Sequence, residues 1–229
     1  MINVPDEVLY TPNHWKLLRE LRAKSKEMMT PLHASHIDSF VYGSIARGDV
    51  NENSDVDIFI PNPPSPTLIE ANLELAGKRF ISREIIQATP SYAPKAYLYT
   101  DERRGYSFPL VKLRQNEAEF YDFAGHLDYI EIQNDVRKPG VDKRLMLIMP
   151  TLEGHVESAV HGREGEVASI LGVSVRIVRE RVKTLMRRER VGRTGVYMKR
   201  ELSHDENISN VYNELIKEHA PMRRRTRKK

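Results

Sequence analysis

The chain has 229 residues, of which 40% are hydrophobic and 30% are charged, and it contains no cysteine. This length is sufficient for one large domain or two small domains with a buried core. The absence of cysteine excludes disulfide bonds and thiolate metal sites. No apolar run approaches the roughly 20 residues that cross a bilayer, and residues 1–10 lack the features of a signal peptide, so we expect a cytoplasmic protein without membrane contact.

The charges are distributed unevenly along the chain. Residues 1–150 contain 18 Lys and Arg against 21 Asp and Glu, which gives −3, and residues 151–229 contain 18 against 11, which gives +7. The two values sum to the net charge of +4. An acidic first part joined to a basic second part predicts that the second part contacts a polyanion, although many basic surfaces are only solvated.

In chain order, the first elements lead to a glycine turn. Thr11-Pro12 is a typical helix start, and the apolar spacing predicts a helix over residues 14–29. We expect a strand over Ile37 to Tyr42, a helical turn from Ser44 to Arg47, and a second strand from Asp55 to Ile60. The polar residues between the turn and the second strand are expected to form a loop.

The segment from the glycine turn to the second strand has the residues of a phosphate and metal site. Gly43 permits close approach of an anion to the backbone, and Ser44 supplies a hydroxyl and an amide at a helix start. Asp55 and Asp57 are two residues apart in a strand, so both carboxylates leave the same face. Such a pair repels unless a cation lies between them, and Mg²⁺ bound by carboxylates and phosphate oxygens is a frequent solution.

These residues also resemble a known signature. The motif of the polymerase-beta-like nucleotidyltransferase superfamily is similar to the arrangement found here: Gly43-Ser44, then ten residues, then Asp55-Val56-Asp57. The longer stretch GSIARGDVNENSDVDIFI resembles the small prokaryotic members and the archaeal CCA-adding enzymes. The resemblance implies an α+β fold with a mixed-sheet nucleotidyltransferase catalytic domain. The alternative is a surface hairpin whose acidic residues only solvate one face.

The remaining elements of the first part surround this segment. Ser65-Pro66 predicts the start of a helix that ends near Gly77. Strands are expected over residues 79–88, 95–99 and 108–113, and residues 101–105 are expected to form a turn. The apolar stretch from Val141 to Met149 predicts a connecting helix, and Pro150 a domain boundary.

The resemblance implies a third carboxylate on a later strand. Residues 118–123 are predicted to form that strand, and Asp122, flanked by aromatic residues, is our assignment of the third acid. Glu117 and Glu119 are the competitors. Glu119 is three residues from Asp122, so the two would point to opposite faces of a regular strand.

The second part resembles a winged helix-turn-helix. Residues 164–171 predict a short helix, Gly172 to Ser174 a turn, residues 175–190 a second helix, and residues 193–197 the turn and strand of a wing. The candidate nucleic-acid contacts are basic residues of this region: Arg176, Arg179, Lys183, Arg187 and Arg193. The alternative is a packing or dimerisation module whose arginines are solvated. A helix over residues 207–219 and a disordered basic tail over residues 223–229 complete the prediction.

The predicted organisation is a catalytic domain (1–150), a mainly α winged-helix domain (151–222) and the tail. The resemblance implies two Mg²⁺ or Mn²⁺ ions held by Asp55, Asp57 and Asp122, and triphosphate contacts from Gly43, Ser44 and Arg47. The expected activity is transfer of a nucleoside monophosphate from an NTP, with ATP favoured, to a hydroxyl acceptor such as RNA. The alternative function is a DNA-binding transcriptional regulator whose nucleotidyltransferase-like domain senses nucleotide.

Overall fold

The computed structural model describes residues 6–192 and 194–227. In chain order its elements are β1 (Asp6–Leu9), α1 (Pro12–Ala34), β2 (Phe40–Tyr42), α2 (Ser44–Arg47), β3 (Val56–Phe59), α3 (Pro66–Leu75), β4 (Ser82–Gln87), β5 (Lys95–Asp101), β6 (Arg104–Pro109), α4 (Gln115–Ala124), β7 (His126–Asp128), α5 (Tyr129–Gln133), β8 (Gly140–Val141), β9 (Met146–Pro150), β10 (Gly154–Ala159), α6 (Glu164–Leu171), α7 (Val175–Val191), β11 (Met198–Glu201), α8 (Ile208–Glu218) and α9 (Ala220–Arg227). The predicted mixture of helices and strands in the first part of the chain is therefore confirmed.

The chain forms two compact units. Unit 1 consists of Met1–Lys26, Phe40–Val56 and Gln115–Thr194, and unit 2 consists of Glu27–Ser39, Asp57–Arg114 and Gly195–Lys229. The chain therefore passes from unit 1 to unit 2 inside β3. These boundaries differ from the predicted division at Pro150, which lies at the end of β9 in an antiparallel hairpin with β10.

Unit 1 contains a four-stranded sheet in the order β1-β10-β9-β8, with antiparallel pairing throughout. Strands β2 and β7 are also antiparallel neighbours, at the end of a seven-stranded sheet in the order β11-β4-β5-β6-β3-β2-β7, and Tyr42 aligns with His126. An apolar cluster joins α4, β8 and β9 to α6 and α7, and includes Phe123, Leu147 and Val178. The predicted helix-turn-helix elements thus share a core with α4 and with β8 and β9.

Unit 2 contains the strands β11-β4-β5-β6-β3 in that order, and β4, β5 and β6 form an antiparallel meander. One face of these strands carries fully buried apolar side chains, including Ile58, Ile85 and Leu98. Tyr106 belongs to this buried set and donates a hydrogen bond from its hydroxyl to the Met28 carbonyl oxygen at 3.0 Å. The opposite face, which carries Asp57, is more polar.

The helix starts predicted at Thr11 and Ser65 are confirmed, and each has a side-chain cap. Thr11 Oγ1 accepts a hydrogen bond from the His14 amide, and Ser65 Oγ accepts one from the Leu68 amide. Each cap satisfies an amide that has no intrahelical acceptor. A proline follows each cap, where its missing N–H costs no hydrogen bond.

Two sequence predictions in the middle of the chain are wrong. Residues 118–123, predicted as a strand, lie in helix α4, where the buried residues Glu117, Tyr121 and Ala124 follow helical spacing. The connecting helix predicted over Val141 to Met149 is replaced by β8 and β9. A continuous apolar run does not distinguish a buried strand from a helix, and here pairing with β10 determines the strand.

The C-terminal part differs from the predicted winged helix. Helices α6 and α7 form, with Gly172 at φ 65° in the turn and the Ser174 hydroxyl capping α7. The wing predicted over residues 193–197 is not confirmed: residues 194–197 form no strand, and the strand that follows, β11, pairs with β4 of unit 2, aligning Met198 with Gln87. The basic tail predicted to be disordered is helical through Arg227 in α9, and its last two residues lie outside the described part.

None of the helices in the described residues is long and apolar enough to cross a membrane.

Candidate nucleotidyl-transfer site

The glycine turn after β2 has an open approach to its backbone. Gly43 adopts φ 83° and ψ −141°, and its amide donates to the Gly125 carbonyl oxygen at 2.8 Å. A Cβ placed on Gly43 would meet no atom within 4 Å. Helix α2 starts directly after it, and the first amides of a helix have no intrahelical acceptor. The Ala46 and Arg47 amides donate to the Gly43 carbonyl oxygen, so the amides left for an anion are those of Ser44 and Ile45.

A hydrogen bond ties this turn to the acidic segment. The Ser44 hydroxyl donates to Ser54 Oγ at 3.1 Å, and Ser54 Oγ also accepts from the Asn51 amide at 3.0 Å. Ser54 directly precedes Asp55. The ten-residue spacing in the sequence motif therefore corresponds to a loop whose two ends are hydrogen bonded. Ser54 was not predicted as a site residue, although the sequence places a hydroxyl directly before Asp55.

The two aspartates alternate with buried apolar residues. Asp55 is exposed and precedes β3, and Asp57 lies within β3 and is half-buried. Val56 and Ile58 are at most 1% exposed and point to the opposite side. Because side chains alternate along an extended segment, both carboxylates leave the same side, as predicted.

Arg47 has a different environment from the one expected of a phosphate ligand. Its side chain is 6% exposed, and its guanidinium pairs with both carboxylate oxygens of Asp49 at 2.9 and 3.0 Å. It also donates to the carbonyl oxygens of Ala124 at 2.7 Å and Val141 at 3.4 Å. These acceptors take four of the five N–H donors of Arg47, so its side chain is held by a carboxylate and by carbonyl oxygens of the protein itself. The predicted phosphate contact of Arg47 stays a prediction.

Residues 16–114 match the family model of the nucleotidyltransferase domain. This range is less than half of the chain, and it contains the glycine turn, Ser54, Asp55 and Asp57. A solved structure of Cid1, described as having RNA terminal uridylyl transferase activity, is similar with 18% sequence identity and a TM-score of 0.28. The alignment covers 44% of this chain and 31% of the Cid1 chain. Because this TM-score is low, nothing is transferred from Cid1.

No curated protein matches the chain. The nucleotidyltransferase domain match ends at residue 114, so α4 with Asp122 and the helices α6 and α7 lie outside it.

The strand beside β3 in unit 2 carries no third carboxylate. The Ile60 amide, directly after β3, donates to the Ser107 carbonyl oxygen of β6 at 2.9 Å. The sequence of β6 is RGYSFP, which contains no acidic residue. Among residues 6–192 and 194–227, no group of three or more His, Asp or Glu side chains is arranged to hold a metal ion. In the described residues, β6 therefore adds no third carboxylate to the Asp55–Asp57 pair.

Asp122, our predicted third acid, lies on helix α4 and not on a strand. Its side chain is 48% exposed, and Oδ1 lies 3.4 Å from Nδ1 of His126. Burial lowers the pKa of His126 below its usual value, and the Asp122 carboxylate acts in the opposite direction. His126 is the cross-strand partner of Tyr42, which precedes Gly43. The predicted metal role of Asp122 stays a prediction.

Helix α7 presents a row of cations. Four predicted nucleic-acid contacts are exposed at spacings of three, four and four residues, so they share one face of the helix. We call this set the basic stripe: Arg176, Arg179, Lys183 and Arg187. It spans about 17 Å at 1.5 Å per residue. None of the four forms an ion pair with another residue of the described ranges.

Two other basic residues of this region, Arg193 and Arg181, do not belong to the stripe. Arg193 lies outside the described residues. Arg181 points inward, with its guanidinium 4.9 Å from the centroid of the Phe120 ring, and burial lowers its pKa. The Ser174 hydroxyl donates to Glu119 of α4, so the start of α7 is anchored. Glu119, considered from the sequence as a competing metal ligand, is thus a packing contact between helices.

Proposed function

We propose that this protein is a metal-dependent nucleotidyltransferase that moves a nucleoside monophosphate from an NTP to a hydroxyl of an RNA acceptor. The observation that carries this proposal is the hydrogen-bonded link from the Gly43-Ser44 turn through Ser54 to Asp55. It joins an anion-binding turn to a pair of carboxylates. The match of residues 16–114 to the nucleotidyltransferase domain supports the same reaction class.

The triphosphate is proposed to lie on the glycine turn. Gly43 has no side chain to block the approach, and the Ser44 and Ile45 amides at the start of α2 have no intrahelical acceptor. Ser44 adds a hydroxyl donor once its bond to Ser54 is exchanged for a phosphate oxygen. ATP is the first nucleotide to test.

Asp55 and Asp57 are the residues that would hold Mg²⁺ together with phosphate oxygens. Two carboxylates on one side of an extended segment fit this use, because Mg²⁺ is commonly bound by one or two carboxylates plus substrate phosphates. The bound ion would neutralise charge on the triphosphate and favour in-line attack at the α-phosphorus. The acceptor oxygen forms a bond to that phosphorus, the bond to the β-phosphate oxygen breaks, and the hydroxyl proton passes to solvent as pyrophosphate leaves.

The acceptor is proposed to dock along the basic stripe of α7. Four exposed cations on one helix face match the repeated negative charge of a nucleic-acid backbone. Backbone contacts of this kind position a strand without reading its sequence. The stripe belongs to unit 1, as do the glycine turn and Asp55.

The decisive experiment is incorporation of label from each NTP into total cellular RNA in the presence of Mg²⁺. Asp55→Asn should abolish incorporation and leave the circular dichroism spectrum unchanged, because Asp55 is exposed and contributes no buried contact. Glu74→Gln, an exposed acid on α3 of the same domain, is the matched control and should retain activity. Undiminished incorporation by wild-type protein in excess chelator would refute the metal-dependent mechanism.

A second function is favoured by the absence of an acidic residue in β6. A protein that only senses nucleotide needs the phosphate turn and one bound metal, whereas activation of an acceptor hydroxyl benefits from further acidic groups. In that case the protein is a DNA-binding regulator that uses the basic stripe on DNA. It would bind ATP, give footprints at defined DNA sites and incorporate no label into RNA.

A further inference from the structure

The sheet of unit 2 has one apolar face and one polar face. Cross-strand alignment places Glu84 opposite Tyr97 and Tyr97 opposite Ser107, so these three residues form a row across β4, β5 and β6. Lys95 and Tyr99 lie on the same face as Tyr97, because residues two apart in a strand share a face. Ile85 and Leu98, which alternate with these residues, are fully buried on the other face.

Asp57 shares the polar face with the tyrosines. Lys95 Nζ lies 5.2 Å from the centroid of the Phe59 ring, and Phe59 is two residues beyond Asp57 on β3. The rings of Tyr97 and Tyr99 are also close enough to Asp57 to respond to its charge. Burial and the charges of Glu84 and Asp57 raise the pKa of Tyr99 to about 12. The proposed metal ligand Asp57 and the two tyrosine rings therefore lie near each other on this face.

The two rings lie side by side on the polar face. Their centroids are 6.0 Å apart with an interplanar angle of 12°, and both side chains are partly exposed. Neither hydroxyl forms a hydrogen bond to another residue in the described part of the chain. Tyr106 differs, since its hydroxyl is bonded to Met28 on the apolar face. Tyr106 thus packs on the apolar face, whereas Tyr97 and Tyr99 lie on the polar face and stay partly exposed.

The residues opposite the two tyrosines are small. Tyr97 faces Ser107 and Tyr99 faces Gly105 on β6, where a larger side chain would normally complete a cross-strand pair. A Cβ on Gly105 would lie 3.0 Å from Tyr99 Cδ1, so the Tyr99 ring lies over this glycine. On the polar face, β6 therefore places only small residues between the tyrosine rings and β3.

We propose that Tyr97 and Tyr99 form a stacking platform for a nucleobase at the proposed transfer site. This inference rests on the proposed function, because it takes Asp57 as the place where the phosphates are held. Strand β5 is two strands from β3, or about 10 Å at the usual strand spacing. That distance suits a base whose phosphate lies at Asp57. The base belongs to the incoming NTP or to the 3′ end of the acceptor.

The test compares leucine with phenylalanine at each position. Tyr97→Leu and Tyr99→Leu remove the ring, whereas Tyr97→Phe and Tyr99→Phe keep it and remove a hydroxyl that has no partner among the described residues. Affinity is measured by calorimetry for Mg²⁺-ATP and by fluorescence anisotropy for single-stranded oligoadenylate. We expect the leucine variants to bind at least one of the two ligands with about tenfold lower affinity than wild type. The phenylalanine variants should bind both ligands with affinities within about twofold of wild type.

Inorganic tripolyphosphate with Mg²⁺ is the control ligand, because it presents phosphates without a base. Its affinity should be unchanged in all four variants, which also reports that the site is still folded. Lower affinity for ATP alone assigns the platform to the base of the NTP. Lower affinity for oligoadenylate alone assigns it to the acceptor. Unchanged affinity for both ligands in the leucine variants would overturn the platform. If the leucine variants bind nucleotide more weakly but the wild-type protein incorporates no label into RNA, the proposed transferase activity is refuted and the stacking role of the tyrosines is retained.

Discussion

Replacing Arg47 by methionine removes a buried cation on which three acceptors depend. In the structure its guanidinium pairs with Asp49 and donates to the carbonyl oxygens of Ala124 and Val141. Methionine preserves much of the side-chain volume but donates no hydrogen bond. The variant therefore isolates the polar contribution of Arg47 beneath the glycine turn.

The expected cost follows from what the substitution leaves behind. The Asp49 side chain is 12% exposed, so its carboxylate would stay largely buried without a cation. Breaking a buried ion pair by removing one partner costs about 3–5 kcal/mol. We expect Arg47→Met to lower the free energy of unfolding by this amount. The double variant Arg47→Met/Asp49→Leu should be more stable than Arg47→Met alone, because it removes the uncompensated carboxylate.

The assay is urea denaturation without nucleotide, followed by circular dichroism, so that loss of ATP binding cannot contribute. Arg19→Met, an exposed position on α1, is the control and should change the unfolding free energy by no more than about 0.5 kcal/mol. A loss below about 1 kcal/mol for Arg47→Met, together with weaker ATP binding, would show that Arg47 contacts phosphate and does not support the turn.

Two further predictions concern the turn and the basic stripe. Gly43→Ala should cost about 1–2 kcal/mol of stability and also weaken ATP binding. Gly162→Ala, at the same φ of 83° and likewise in open space, should show the stability loss in denaturation but leave ATP titrations unchanged. Replacing the four residues of the basic stripe by glutamine should reduce the slope of log affinity against log salt for single-stranded RNA by about 3. An equal reduction from glutamine at the exposed α1 residues Lys16, Arg19 and Lys24 would argue against a specific surface on α7.

The parts of the fold that sequence predicts correctly are those with local signals. The hydroxyl caps at Thr11 and Ser65 predict the starts of α1 and α3 because a cap acts within four residues. Gly172 and Ser174 predict the turn between α6 and α7 for the same reason. The glycine turn and the Asp55–Asp57 alternation also depend only on neighbouring residues.

The remaining predictions failed where distant partners decide the structure. The aromatic run before Phe123 suits a strand, but its burial against α6 and α7 selects a helix. The wing predicted over residues 193–197 is not confirmed, because the strand that follows α7 pairs with the distant strand β4. The environment of Arg47 has the same origin, because its carbonyl acceptors belong to residues more than 70 positions away.

The pairing of β11 with β4 also has a consequence for synthesis of the chain. Met198 aligns with Gln87, so the outer strand of the unit 2 sheet arrives more than 100 residues after the strand that it covers. Contacts between such distant segments slow folding, because a long loop must close before they form. During translation, the β4 edge would stay open to intermolecular pairing until β11 emerges from the ribosome. Chaperone binding to nascent chains should therefore concentrate between synthesis of β4 and of β11.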